Sequence, residues 1–143
     1  MVKRAKIIKI ISIIIVIIAL SIFGFLYYNS QSQQRRIDSL ICMSLDDSRE
    51  SFSNYLSSSS RESYLFGLSS FYLFKNLYSE SNYYDDNFTS VISNAYLKLL
   101  SNENPDSAEV KALLDALDFL AENPSDIRGY TLLEIFVNYS NYY

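Results

Sequence analysis

The chain has 143 residues, of which 49% are hydrophobic, and it contains no His, no Trp and one Cys. Without His, neither Ser-His and Cys-His catalytic groups nor the usual zinc sites can be assembled, and a single Cys cannot form an intramolecular disulfide. All 16 Asp and Glu residues follow Tyr28, whereas four of the 12 Lys and Arg residues precede Ile10. Because an acidic domain is repelled by phosphate backbones, we expect no nucleic-acid partner.

The scarcity of turn residues sets the fold class. Only two Pro and three Gly interrupt the chain, which favours long helices over a turn-rich β fold. We therefore predict an all-α protein, in which an N-terminal transmembrane helix precedes a small bundle of four to five helices. The expected divisions are a basic cytoplasmic tail at residues 1–6, a transmembrane signal-anchor helix at 7–28, a juxtamembrane linker at 29–36 and an extracytoplasmic helical bundle at 37–143.

The anchor prediction depends on the apolar run KIIKIISIIIVIIALSIFGFLYY. As a helix, residues 7–28 would extend about 33 Å, close to the hydrocarbon core of about 30 Å, and would therefore contact the lipid bilayer. Four basic residues flank its start and two aromatic residues suit the opposite interface: Lys3, Arg4, Lys6, Lys9, Tyr27 and Tyr28. The positive-inside bias predicts a single-pass protein of the cell membrane, with a cytoplasmic N-terminus and an extracytoplasmic C-terminus.

Two alternatives would remove part of this segment. A signal peptide would have its apolar region at residues 7–18 and its cleavage site at Ala19 and Ser21, releasing a secreted helical protein. Cleavage there leaves a largely apolar new N-terminus, since polar residues begin at Asn29. A pilin-like chain cut after Ala5 would carry Lys6 and Lys9 into a packing core. We therefore expect the anchor to be retained.

A narrow apolar seam follows the span. A 4-3-4-3 spacing of mostly apolar residues predicts a helix over about residues 35–58, whose apolar face either packs on the next helix or pairs with a second copy. Cys42 falls on this helix and reads as a buried small hydrophobe. The candidate interaction seam consists of Ile41, Leu45, Phe52 and Tyr55, with Ser48 among them.

The next helix is apolar on nearly every side. Ser59 and Glu62 have the form of a capping box that opens it. Residues 64–78 are interrupted by a single polar stripe, which continues into the residues on either side. A helix with so few polar residues is expected to lie at the centre of the bundle. The aromatic residues either form core or line a ligand cavity. The stripe contains Glu62, Ser69, Asn76 and Glu80, and the candidate aromatic cavity contains Phe71, Phe74 and Tyr78.

Three further helices are expected. Asp85 or Asp86 caps a third helix, whose apolar face contains Phe88, Val91, Ile92, Ala95 and Leu99. Two similar segments, ENPDS and ENPSD, then recur with a period of about 19 residues. Each reads as an Asn N-cap followed by Pro at the first helical position, so the last two helices should form an antiparallel hairpin.

No catalytic motif, cofactor site or metal site is predicted, and the paired carboxylates Asp46 and Glu50 read as a solvated helix face. We expect a non-enzymatic helical interaction module at the extracytoplasmic surface, which binds a protein partner or itself as a homo-oligomer. The alternative is a ligand-binding ectodomain with an aromatic-lined cavity. This architecture is similar to the helical sensor ectodomains of bacterial receptors, although the chain shares no motif with them.

Overall fold

The computed structural model describes residues 2–102 and 104–139, with side chains from residue 14 onward. It contains five α-helices and, within those ranges, no β-strand. The all-α class and the order of a long apolar helix followed by a small bundle are confirmed. The helices are α1 (Val2–Ser58), α2 (Arg61–Tyr78), α3 (Asp86–Ser101), α4 (Ser107–Glu122) and α5 (Ile127–Asn138).

The chain divides into two units, Met1–Arg35 and Arg36–Tyr143. In the first unit, all side chains of residues 14–33 are exposed, including Tyr27 and Tyr28. By length and composition, this part of α1 is able to cross a membrane. The expected linker at residues 29–36 is helical. The basic side chains expected to flank the span lie outside the described side chains: Lys3, Arg4, Lys6 and Lys9.

The second unit has one hydrophobic core to which all five helices contribute. Its largest fully buried side chains are mainly aromatic and branched aliphatic residues, which bury the most apolar area per residue. The expected apolar face of α3 is confirmed, because Ile92, Ala95 and Leu99 are buried and Phe88 and Val91 pack against them. The core residues of α1 and α2 are Ile41, Leu45, Phe52, Tyr64, Phe71, Phe74 and Tyr78.

The junction between α1 and α2 differs by one residue from the expected capping box. Ser59 has a left-handed φ of 53°, and its N–H donates to the Tyr55 carbonyl at 2.7 Å, which closes the end of α1. Because Ser59 is used in this way, Ser60 becomes the N-cap of α2, and its side chain accepts from the backbone N–H of Ser63. The predicted pairing of Ser59 with Glu62 is therefore wrong. The predicted cap of α3 is confirmed at Asp85.

The N-caps of α4 and α5 differ from the predicted asparagines. Their N-caps are Asp106 and Asp126, whose carboxylates accept from backbone N–H groups in the first turn. Asn104 and Asn123 lie two and three residues earlier, and neither is an N-cap; Asn123 is instead the C-cap of α4. A carboxylate at the N-cap also interacts favourably with the positive end of the helix dipole. The predicted Asn caps are therefore wrong.

The two prolines occupy equivalent places ahead of these caps. Both Pro105 and Pro124 are buried, and neither is the first residue of its helix. The Pro105 carbonyl accepts from the Tyr55 hydroxyl at 3.4 Å, and the Pro124 carbonyl accepts from the Tyr130 hydroxyl at 2.7 Å. In each recurring segment, the carbonyl of a buried proline thus accepts a hydrogen bond from a tyrosine hydroxyl.

The hairpin of α4 and α5 forms as predicted. At the turn, Gly129 in the first turn of α5 approaches α4 so closely that an added Cβ would lie 2.6 Å from Leu120 Cγ. At the far end, Lys98 contacts both Glu109 in the first turn of α4 and the Phe136 carbonyl in the last turn of α5. The helices are therefore antiparallel neighbours.

Candidate functional site

The predicted interaction seam lies in the core. Ile41, Leu45 and Phe52 are all fully buried, and Tyr55 is half-buried with its ring 5.2 Å from that of Tyr64. Of the two alternatives, packing within the chain is the one observed, so the seam is not a surface open to a second copy. Helical spacing indicates that a face is buried but does not indicate which chain buries it.

A close approach between α1 and α2 accounts for much of this burial. Ser48 is fully buried and its hydroxyl donates to the Gly67 carbonyl at 3.1 Å. A Cβ built at Gly67 would meet three atoms of the Phe52 ring at 3.0 Å. Gly67 therefore lets the backbone of α2 lie directly against the α1 seam.

The predicted aromatic cavity residues pack on one another. The ring centroids are 5.6 Å apart for Phe71 and Phe74 and 5.7 Å apart for Phe74 and Tyr78, both in edge-to-face geometry. Tyr78 continues the chain of rings to Tyr130 at 6.1 Å. The four described clefts are lined by other residues. These rings thus contribute to the core, as aromatic residues at helical spacing usually do.

The single cysteine lies at the edge of the bundle. Cys42 is half-buried, more exposed than predicted, and its Sγ lies 3.7 Å from the hydroxyl of Tyr83. The hydrogen bond with Cys42 and burial raise the pKa of Tyr83 to about 12. Nearby, Asp38 accepts from the Asn82 backbone at 2.9 Å and from its side chain at 2.7 Å. Both contacts tie the α2–α3 loop to α1.

Lys98 joins three helices through one ammonium group. From α3, its Nζ lies 2.6 Å from the Phe136 carbonyl at the end of α5 and 3.3 Å from Glu109 Oε1 on α4. The ammonium also lies 4.8 Å from the Phe136 ring centroid. Both charged side chains are mostly buried, 14% and 12% exposed. A cation at the carboxyl end of α5 is favourable because the helix dipole is negative there.

Tyr64 ties α2 to the end of α3. Its hydroxyl donates to the Leu99 carbonyl at 2.5 Å and lies 2.9 Å from the Asn102 carbonyl. Burial, with smaller contributions from Tyr55 and Glu109, raises the pKa of Tyr64 to about 12. The hydroxyl therefore stays protonated over the ordinary pH range and keeps its hydrogen bond to the end of α3.

Asp46 and Glu50, which the sequence predicts to share a solvated helix face, line a polar cleft between α1 and α4. Asp46, Glu50 and Asp118 contribute to this cleft of about 340 Å³, together with Arg49. Arg49 lies 2.5 Å from Asp46 and 3.9 Å from Asp118. These groups are well exposed, so the ion pairs contribute little to stability. Among the described residues, no group of three or more His, Cys, Asp or Glu side chains forms a metal site.

The outward side of α2 is the feature that the sequence analysis missed. Its polar stripe faces solvent, but α2 is not central, because four large apolar side chains beside the stripe are exposed as well. Phe66 is 61% exposed and Leu65 is 51% exposed, and Tyr72 and Leu73 follow one heptad later. The first part of this side forms a cleft of about 450 Å³, lined by Arg61, Glu62, Leu65, Phe66 and Ser69.

α3 extends this apolar surface. The rings of Tyr72 and Tyr96 lie 5.3 Å apart, and Leu97 and Leu100 beyond Tyr96 are about half exposed. Together α2 and α3 contain only two of the 16 carboxylates, Glu62 and Asp86. We call this surface the α2–α3 face; its exposed apolar side chains are Leu65, Phe66, Tyr72, Leu73, Leu97 and Leu100.

The sequence contained one signal for the α2–α3 face. Glu62, Ser69 and Asn76 recur every seven residues, which marks the solvent side of α2. The residues three and four positions after Glu62, and three and four positions after Ser69, are the apolar side chains of α2 that are exposed. Comparison of the chain with protein-family models, with curated proteins and with solved structures gives no match.

Proposed function

We propose that this chain is a single-pass, non-enzymatic membrane protein that presents its helical bundle at the extracytoplasmic surface and binds protein through the α2–α3 face. The anchor is supported by the exposed apolar part of α1, which is long enough to cross a bilayer. Basic residues before that segment favour a cytoplasmic N-terminus.

The observation that carries the interaction role is the exposure of six large apolar side chains on one side of a bundle that already has a filled core. Side chains of this size, each about half exposed, leave on the order of 500 Å² of apolar surface in contact with water. Exposed apolar surface of this extent on a soluble domain, bordered by polar residues, often marks an interaction site. The low carboxylate content of α2 and α3 supports the same proposal, since interface cores are depleted of charge.

Extraction of membranes with alkaline carbonate tests the anchor. We expect the full-length protein to stay in the membrane pellet at its full mass, because the apolar part of α1 is embedded in lipid. Release into the supernatant with loss of about two dozen residues would instead establish signal-peptide cleavage. Release at full mass would show that the apolar helix does not anchor the protein.

Site-specific photo-crosslinking tests the interaction surface in native membranes. A benzophenone amino acid at Phe66 should form a discrete adduct with protein. The same residue at Ile127, which is 67% exposed at the start of α5, should not. Adducts that are equal at the two positions would contradict a specific role for the α2–α3 face.

A further inference from the structure

The outward side of α2 has the geometry of a helix-pairing surface. Glu62, Leu65, Phe66 and Ser69 stand at positions i, i+3, i+4 and i+7, which is the arrangement of the four residues around a hole in a coiled coil. These same four residues line the cleft of about 450 Å³. This open cleft therefore has room for a large side chain from another helix.

The pattern repeats one heptad later. Ser69, Tyr72, Leu73 and Asn76 form a second set at i, i+3, i+4 and i+7, and all four side chains are exposed. Ser69 is common to both sets, and its small side chain lets a second helix approach closely. Each set supplies large apolar side chains as well as a hole, so the face is complementary to a copy of itself.

We propose that the occupant of the α2–α3 face is a second copy of this chain, so that two bundles associate through α2. The proposal rests on the proposed function, because the α2–α3 face is the same surface. In such an isologous contact the same residues are buried on both copies, and Ser69 lies near the two-fold axis.

The size and charge of the face fit a homodimer. A standard interface buries about 800 Å² per partner, and in homodimers about 65% of the buried area is apolar. The six exposed side chains provide on the order of 500 Å² of apolar surface, close to that share, and the charged neighbours Arg61 and Lys75 provide a rim.

The local charge of this face is compatible with self-association. The bundle carries all 16 carboxylates of the chain, so two copies repel each other through most of their surfaces. On α2, Glu62 is accompanied by Arg61 and Lys75, and Lys75 Nζ lies 5.9 Å and 5.6 Å from the rings of Tyr72 and Tyr96. Repulsion between two copies is therefore weak at this apolar surface. Anchoring in one membrane raises the effective concentration of the second copy.

Cysteine crosslinking of the full-length protein in membranes tests the contact. In a Cys42→Ser background, Ser69→Cys places a thiol at the centre of the face, and both directions of helix pairing bring the two copies of this position together. A short bis-maleimide that spans the about 8–10 Å between packed helix axes should join two copies. The matched control is Lys111→Cys, at an exposed position on α4, which should give little product.

A second pair of variants separates specific contact from random collision. Added to Ser69→Cys, Phe66→Asp should reduce the dimer yield about tenfold, because a charge then enters the apolar centre of the contact. Ile127→Asp adds the same charge at an exposed apolar residue outside the face and should leave the yield unchanged. Both positions are exposed, so both variants should keep the helical content of the parent by circular dichroism.

Several outcomes would overturn the second copy as the occupant. Equal dimer yields from Ser69→Cys and Lys111→Cys would show collision alone, and insensitivity to Phe66→Asp would show that the face is not buried. An adduct between position 69 and a different polypeptide, without a dimer, would reject self-association and leave the proposed function intact. Loss of the protein from the membrane pellet would reject the anchor independently of the crosslinking result.

Discussion

Lys98→Met provides a quantitative test of how the last three helices are held together. The variant keeps an apolar stem of similar length but removes the ammonium that lies 2.6 Å from the Phe136 carbonyl and 3.3 Å from Glu109. A hydrogen bond from a charged donor contributes about 1.5–3 kcal/mol, and a cation over a ring contributes about 0.5–1 kcal/mol more. The Glu109 carboxylate would also lose its cation while 12% exposed.

Because the new methionine restores part of the packing, we expect the free energy of unfolding of the bundle to fall by about 2–3 kcal/mol. The assay is urea unfolding of the full-length protein in detergent micelles, followed by the near-ultraviolet circular dichroism of its tyrosines. For a domain of this size, the midpoint should fall by about 2 M urea. Lys111→Met, at an exposed lysine of α4, is the matched control and should change the unfolding free energy by no more than about 0.5 kcal/mol.

A double-mutant cycle isolates the contribution of the ion pair. If Lys98 and Glu109 stabilise each other, the double variant Lys98→Met with Glu109→Gln should lose less free energy of unfolding than the two single variants lose in total. The expected difference, the coupling energy, is about 1 kcal/mol. A loss below about 0.5 kcal/mol for Lys98→Met, together with strict additivity, would refute the idea that this ammonium holds α3, α4 and α5 together.

Two further predictions concern packing and pH. Gly129→Ala should destabilise the bundle by about 1–3 kcal/mol, since its Cβ would lie 2.6 Å from Leu120 Cγ and 3.2 Å from the Ala116 carbonyl. Gly24→Ala, where nothing lies within 4 Å, should leave the free energy of unfolding unchanged, and urea unfolding of both variants checks this. Because burial raises the pKa of Tyr64 from 10.0 to about 12, stability should be unaffected by Tyr64 below pH 10 and should fall between pH 10 and 12, as the unfolded chain ionises first. Urea titrations across this range should show a shallower decline for Tyr64→Phe, and an unchanged slope would contradict the raised pKa.

Much of the fold was predictable because it depends on local patterns. The end of α1 at Ser58, the Asp85 cap of α3 and the α4–α5 hairpin all follow from the spacing of apolar residues and from residues that favour helix starts. The caps that were predicted wrongly depend on finer geometry. Ser59 and Ser60 are chemically identical, and only the left-handed backbone of Ser59 determines which of them caps α2.

The candidate site was less predictable, because periodicity identifies apolar faces without identifying what covers them. The α1 seam and the outward side of α2 have similar patterns, yet Phe52 is fully buried and Phe66 is 61% exposed. The difference arises from tertiary packing: Gly67 brings α2 against α1 through one side of the helix and leaves the opposite side uncovered. That choice depends on contacts between residues distant in sequence.

The burial of the α1 seam also has a consequence for the order of events during synthesis. Tyr55 of the seam contacts the Pro105 carbonyl, which lies 50 residues later in the chain. At about 5–20 residues per second, the ribosome needs several seconds to add those residues. Early in that interval α2 is made and can pack on Phe52, but the bundle is still incomplete. The Tyr55 end of the seam therefore lacks its final hydrogen-bond partner for several seconds, until the segment that leads into α4 has been made.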